Sequence, residues 1–162
     1  WMKIFASLTD LADADLHNVF LLWQGLGYYS RANRINESSK LLIQCVGFNR
    51  DQDPQSWPSG IDQWMSLPGI GRSTAGSIIS SAFHLPKPIL DGNVNRILSR
   101  LLASRTTSIK DEKKLWEYSY FLISTLSPRN FNQALMDLGA IVCTKNKPKC
   151  NVCPIQNYCL AF

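Results

Sequence analysis

Histidine is nearly missing from this chain of 162 residues: His17 and His84 are the only two. Neither has a second ligand-type residue beside it, so both read as surface or cap positions and neither suggests a metal site. No apolar run is long enough to span a bilayer, and no secretory leader is recognisable. The alternation of a half-buried strand stands out nowhere, and there is no internal repeat or low-complexity tract. Acidic residues are the minority charge, 12 against 17 Lys and Arg, for a net charge of +5 and a pI near 9.0. That bias is compatible with a nucleic-acid partner without requiring one. Cysteine is scarce outside one cluster: Cys45 stands alone on a helix face as a small apolar residue. A clustered set in a chain without secretory signals favours a metal site over a disulfide framework. What remains is 45% hydrophobic, enough for a packed core in one domain or two small lobes.

The chain is organised around LPGIGRSTAGSIISSAFHLPKPILDGNVNRILSR, residues 67–100. Pro68 fixes its own φ, and Gly69 and Gly71 can take positive φ and admit a close backbone approach. A helix should start at Arg72, since Ile78, Ile79 and Ala82 follow at helical spacing. Turn amides at such a start can hold an anion such as a phosphate. After the rigid Pro86-Lys87-Pro88 comes Asp91, then an amphipathic helix over 93–103 with Val94, Ile97, Leu98, Leu101 and Leu102 on one face. Taken alone, Asp91 reads as an N-cap. Asn93 and Ser73 read as polar residues in first helical turns.

Elsewhere the chain reads as helices, about nine in all. Trp1, Ile4, Phe5 and Leu8 form an uncapped apolar run that reads as the middle of a helix, so a missing N-terminal part is expected. Thr9 and Asp13 are the expected caps of the next two helices. The second buries Leu16, Val19, Phe20 and Trp23, and Gly25-Leu26-Gly27 breaks it. A helix follows over 30–46, then a polar loop over 49–60. Ser59 is the expected cap of a helix holding Ile61, Trp64, Met65 and Leu67. A loop over 104–110 precedes helices over 111–126 and 130–142, separated by Pro128.

Cys143, Cys150, Cys153 and Cys159 form C-x6-C-x2-C-x5-C. Four thiolates in one short loop can surround zinc or an iron–sulfur cluster. Structural zinc sites usually show two close pairs, and only Cys150 and Cys153 make one here. Longer gaps suit a bulkier cubane, and two disulfides remain the other alternative. Lys145, Lys147 and Lys149 either face phosphates or decorate a solvated loop.

LPGIG followed by LDGNV resembles the helix-hairpin-helix DNA glycosylases, and most closely the adenine DNA glycosylase (MutY) family. GLGYYSRA at 25–32 and the cysteine run extend the resemblance over nearly the whole chain. It implies an all-α, N-terminally truncated fold. A helical barrel lobe (1–86, with the hairpin at about 60–83) would face an iron–sulfur lobe (87–162), with double-stranded DNA in the cleft between them. It implies a [4Fe–4S] cluster on the loop 143–159. It implies Asp91 as the carboxylate that steadies the developing sugar cation, Asn93 as its helper, and Tyr28 as a wedge beside the extruded base. Gln24 and Leu26 would lie on the minor-groove side, and Arg31, Arg72 and Lys147, with the turn at Gly69 and Gly71, would contact phosphate. Related bifunctional lyases carry a lysine where this chain has Ser73, so a monofunctional enzyme is expected, with Ser73 lining the site.

The expected activity is removal of adenine opposite 8-oxoguanine or guanine in base excision repair. The expected setting is intracellular: bacterial cytoplasm and nucleoid, or nucleus and mitochondrion. The protein would be a monomer with no membrane partner. The family's proton donor is a glutamate in a helix ahead of this chain, and Glu37, Glu112 and Glu117 do not match its motif. The family's domain for oxidised-guanine recognition is also unmatched, so the chain alone should bind DNA weakly and release little adenine. Two other readings stand beside this one: an endonuclease III-like glycosylase and lyase, which Ser73 and LDGNV oppose, and a DNA-binding fragment without catalysis.

Overall fold

The structure is a computed structural model and describes residues 1–46, 57–58, 60–104 and 109–162. Among them there are eight α-helices and no strand, in line with the all-α expectation. The expected loops over 49–60 and 104–110, the cap at Ser59 and the side chain of Cys45 fall wholly or largely outside the described residues. No described helix is long and apolar enough to cross a membrane. The chain divides into two compact units, Trp1–Gly71 and Arg72–Phe162.

In the first unit, α1 (Leu8–Asp13) starts at Ser7, not Thr9. Ser7 Oγ accepts from the Asp10 amide at 3.0 Å while Asp10 Oδ2 accepts from the Ser7 amide at 2.9 Å. That reciprocal box satisfies two amides at once, which Thr9 could not do. Residues 2–4 consequently form a turn instead of the expected mid-helix run. Asp13 belongs to α1, so α2 (Leu16–Leu22) is capped by Asp15, whose Oδ1 accepts from the His17 amide at 2.7 Å. The long α3 (Tyr29–Val46) and the short α4 (Ile61–Met65) complete the unit. Its core gathers Phe5, Leu11, Val19 and Ala32, with Trp1 and Trp23 packed against them. Buried Asn36 of α3 donates through Nδ2 to the Leu11 carbonyl at 2.6 Å, satisfying an orphan acceptor near the end of α1.

The second unit holds α5 (Arg72–Ala82), α6 (Gly92–Leu101), α7 (Ile109–Leu122) and α8 (Pro128–Asp137). A π-helical turn (Leu138–Val142) continues α8 without a break. α7 ends at Leu122 rather than Leu126, and Leu126 is 97% exposed, with nothing to bury it against. Pro128 opens α8 at its first position, where a missing amide costs nothing, instead of serving as a spacer. Ile89, Val94, Leu98 and Leu115 form the core. The division at Gly71 and Arg72 precedes the crossing expected at 86–88. α5 packs on α8, and the α-carbon of Gly76 lies so close to the Pro88 carbonyl that no side chain would fit between them.

Candidate functional site

The turn after α2 is built to display its tip. Gly25 (φ +85°) and Gly27 (φ +64°) take the left-handed region that glycine permits, and Tyr28 follows at φ +51°. For a tyrosine that conformation costs on the order of 1–2 kcal/mol. Trp23 Nε1 holds the turn by donating to the Gly27 carbonyl at 2.9 Å. Tyr28 is 65% exposed and Leu26 63%, two apolar side chains presented to solvent on a pinned turn. Gln24 is exposed beside them. Arg31 lies with its guanidinium carbon 5.4 Å from the Trp23 ring and 5.7 Å from that of Tyr28. Tyr29 meets Phe20 edge to face at 5.8 Å.

Residues 67–71 link α4 to α5. Gly69 alone takes positive φ, +78°, whereas Gly71 does not, against the expectation for both. A side chain at Gly69 would sit 2.6 Å from Arg34 Cδ, so α3 backs this turn closely. Ser38 Oγ, also on α3, donates to the Pro68 carbonyl at 3.1 Å. Among the described residues, a side chain at Gly71 would meet nothing within 4 Å, which leaves that backbone open to an approaching group. Arg72 rests its guanidinium 4.1 Å from the centroid of the Trp116 ring.

Asp91 caps α6: its Oδ1 accepts from the Val94 amide at 2.8 Å. Among the described residues its Oδ2 has no hydrogen-bond partner, so capping occupies one oxygen and leaves the other available. The two readings of this residue are therefore compatible. Among the described residues, the segment 84–90 leading to Asp91 belongs to no helix or strand, so side chains satisfy much of its backbone. Asn132 Nδ2 donates to the Lys87 carbonyl at 2.9 Å and to Ser80 Oγ at 2.9 Å. Ser119 Oγ donates to the Ile89 carbonyl at 2.7 Å. Ser73 Oγ accepts from the Leu90 amide at 3.1 Å. Ser73 thus anchors the residue directly ahead of Asp91. Sequence reasoning missed Ser119 and Asn132. The available signal was polar residues on apolar faces: Ser119 one turn after Leu115, and Asn132 one turn before Leu135 and Met136.

Asn93 Oδ1 accepts from Arg96 Nη2 at 2.8 Å, and that same nitrogen donates to the Gly139 carbonyl at 2.6 Å. Arg96 Nε donates to the Cys143 carbonyl at 2.8 Å. A side chain on Gly139 would come within 2.6 Å of Asn93 Cβ. Arg96 therefore joins the first turn of α6, where Asp91 and Asn93 lie, to the π-helical turn and to the first cysteine.

Cys143, Cys150, Cys153 and Cys159 are all half-buried free thiols, and all four line one pocket with a cavity of about 140 Å³. No group of three His, Cys, Asp or Glu among the described residues converges on the position of a single ion. Four soft thiol donors around one cavity are a donor set that suits zinc or an iron–sulfur cluster. Lys145, Lys147 and Lys149 are exposed on the same loop, and Thr144 Oγ1 donates to the Lys147 carbonyl at 2.8 Å.

The helices, the hairpin turn and the cysteine loop define a helix-hairpin-helix fold of the DNA glycosylase class. The family described as HhH-GPD superfamily base excision DNA repair protein matches residues 1–119, and the chain belongs to it. It is 39% identical over 162 residues to an adenine DNA glycosylase of Buchnera aphidicola subsp. Baizongia pistaciae, covering 100% of this chain and 44% of that protein. It is 40% identical over 164 residues to the adenine DNA glycosylase of Mus musculus, covering 100% of this chain and 31% of that one. The solved structure of a thermostable thymine-DNA glycosylase matches with a TM-score of 0.84 at 24% identity, over 99% of this chain and 71% of the other; that likeness is one of fold. The chain spans less than half the length of these two curated relatives.

Proposed function

We propose that the protein is a monofunctional DNA glycosylase that removes adenine opposite 8-oxoguanine. The observation that carries this reading is Asp91, a carboxylate with one oxygen fixed at a helix start and the other available. Breaking the glycosidic bond leaves positive charge on the sugar, and a fixed carboxylate facing it lowers the barrier. Asn93, held by Arg96, would orient the substrate beside it. The open backbone at Gly71 and the turn at Gly69 would hold DNA phosphate, with Arg31, Arg72 and Lys147 adding charge. Tyr28, displayed on its strained turn with Leu26 and Gln24, would enter the base stack next to the extruded nucleotide. The 39–40% identity to adenine DNA glycosylases along the full chain supports adenine as the base. Ser73 has no amine, and its hydroxyl is occupied by the Leu90 amide, which opposes a lyase step.

Cys143, Cys150, Cys153 and Cys159 would hold a [4Fe–4S] cluster, which would order the loop that presents Lys145, Lys147 and Lys149 to phosphate. Protein purified without oxygen should then be brown, with about four irons per chain, as four-cysteine cubane ligation requires. Stoichiometric zinc in a colourless protein would replace this cofactor reading.

The test is single-turnover base release from duplex DNA with adenine opposite 8-oxoguanine, with borohydride present. The protein should release adenine at a rate set by the chemical step and form no trapped adduct. A borohydride-trapped adduct, or release of oxidised pyrimidine instead of adenine, would overturn the proposal.

A further inference from the structure

Among the described residues, Arg100 is the one charged side chain lining the cysteine pocket. It lies in the last turn of α6 and reaches across to the loop. Its Nη1 donates to the Thr144 carbonyl at 2.8 Å, to the Cys143 carbonyl at 3.4 Å and to Cys143 Sγ at 3.2 Å. Its Nη2 donates to the Lys145 carbonyl at 3.0 Å. The carbonyls fix the planar fork, so the N–H aimed at sulfur is held in place by the rest of the group. Cys159 Sγ donates to the carbonyl of Arg100 at 3.7 Å, a contact that needs the thiol proton. A ligating cysteine has lost that proton. The Arg100 bond to Cys143 is different, because it strengthens when sulfur becomes a thiolate and the pair becomes charge-assisted.

We infer that Arg100 is a positioning residue for the first cysteine ligand and sets the reduction potential of the group those four sulfurs hold. This rests on the reading of the four cysteines as cluster ligands. Hydrogen bonds to ligand sulfur and nearby net charge are the levers by which a protein tunes such a centre. The sign follows from charge. Reduction adds an electron, and a fixed guanidinium against a ligand sulfur favours the more negative state. Arg100 therefore raises the potential and makes oxidation of the cluster harder. The loop lysines cannot substitute, because they are exposed and none of them lines the pocket.

Two measurements on the cluster-loaded chain test this, and neither reads base excision. In the unmodified protein, moving from H₂O to D₂O should shift an Fe–S(Cys) stretching band in the resonance Raman spectrum, because the N–H to sulfur exchanges. Second, Arg100→Gln removes the charge and Arg100→Lys keeps it. At a fixed applied potential Arg100→Gln should raise the ratio of oxidised to reduced cluster about tenfold, which for one electron is about 59 mV. Ferricyanide should then release its iron several-fold faster. Arg100→Lys should fall between Arg100→Gln and the unmodified protein. A brown Arg100→Gln protein with an unchanged potential would overturn the inference and leave Arg100 as a clamp on loop carbonyls. If Arg100→Gln fails to hold the cluster, the deuterium experiment decides, and an unshifted band overturns the inference. A colourless unmodified protein would remove the cluster reading and this inference together.

Discussion

Ser119→Ala isolates the support beneath Asp91. Ser119 and Ile89 are 2% and 1% exposed, and the hydroxyl-to-carbonyl distance between them is 2.7 Å. Alanine keeps the helix and nearly the same volume, so the substitution removes a donor and little else. No other donor among the described residues reaches the Ile89 carbonyl, and burial keeps bulk water from replacing it. Leaving a buried acceptor unsatisfied costs about 1–3 kcal/mol. Alanine is the better helix former by a few tenths of a kcal/mol, which offsets a small part. The net loss should be about 1–2.5 kcal/mol. For a chain of this size each kcal/mol lowers the melting temperature by about 2–4 °C. Thermal unfolding should therefore show a fall of about 2–10 °C, with a matching drop in urea midpoint at unchanged slope. A stability within about 0.5 kcal/mol of the unmodified chain, the range of an inert surface change, would mean that the carbonyl finds water. The strap would then not be held by side chains, and the account of how Asp91 is positioned would fail.

Asp91→Asn keeps a capping oxygen and removes the charge, so base excision in the active protein should lose about 2.7–4 kcal/mol of transition-state stabilisation. DNA affinity should hold or rise, and single-turnover release compared with equilibrium binding separates the two effects. Ser73→Lys places an amine beside Leu90 and Asp91 and should introduce a weak borohydride-trapped adduct that the unmodified protein lacks. Gly139→Ala forces a methyl group against Asn93 and should cost about 1–3 kcal/mol of stability. It should also slow excision more than it weakens DNA binding; equal loss in both would show that Asn93 had not been displaced.

Residues with a local partner or a strong period were legible in the sequence. α6 declared itself through Val94, Ile97 and Leu98 behind a capping Asp91, and the structure has that helix with that cap. The break at Gly25 and Gly27 was legible because only glycine takes those angles freely, but the left-handed Tyr28 carries no such mark. Helix caps were misplaced at Thr9 and Asp13 because several polar residues compete there, and the reciprocal bond of Ser7 with Asp10 decides the contest. The strap over 87–90 was invisible as a designed element. It has no period, and Ser119 and Asn132 reach it from 30 and 45 residues away. The four cysteines stood out by their spacing, and the structure sets all four around one pocket as free thiols. Arg96 and Arg100 did not stand out, since basic residues on the polar face of an amphipathic helix ordinarily read as solvated.

That polar face is what joins the two parts of the candidate site. Asn93, Arg96 and Arg100 fall at i, i+3 and i+7, so they share one stripe of α6, opposite Val94, Ile97 and Leu98 in the core. Instead of facing water, the stripe faces a loop whose carbonyls have no regular partners. Arg96 takes the carbonyls of Gly139 and Cys143, and Arg100 takes those of Cys143, Thr144 and Lys145. At the far end of the same helix the Leu160 amide donates to the Leu101 carbonyl at 3.1 Å, which fastens the loop after the last cysteine. Two arginines are suited to this because each guanidinium offers five donors in a fixed plane, enough to satisfy several diverging carbonyls at once. A lysine could not span them. The consequence is directional: displacement of Cys143 moves the carbonyl that orients Arg96, and Arg96 orients Asn93 two residues from Asp91. On the proposed role of Asp91, the cysteine loop would influence the reaction through this chain of hydrogen bonds without contributing a reacting atom.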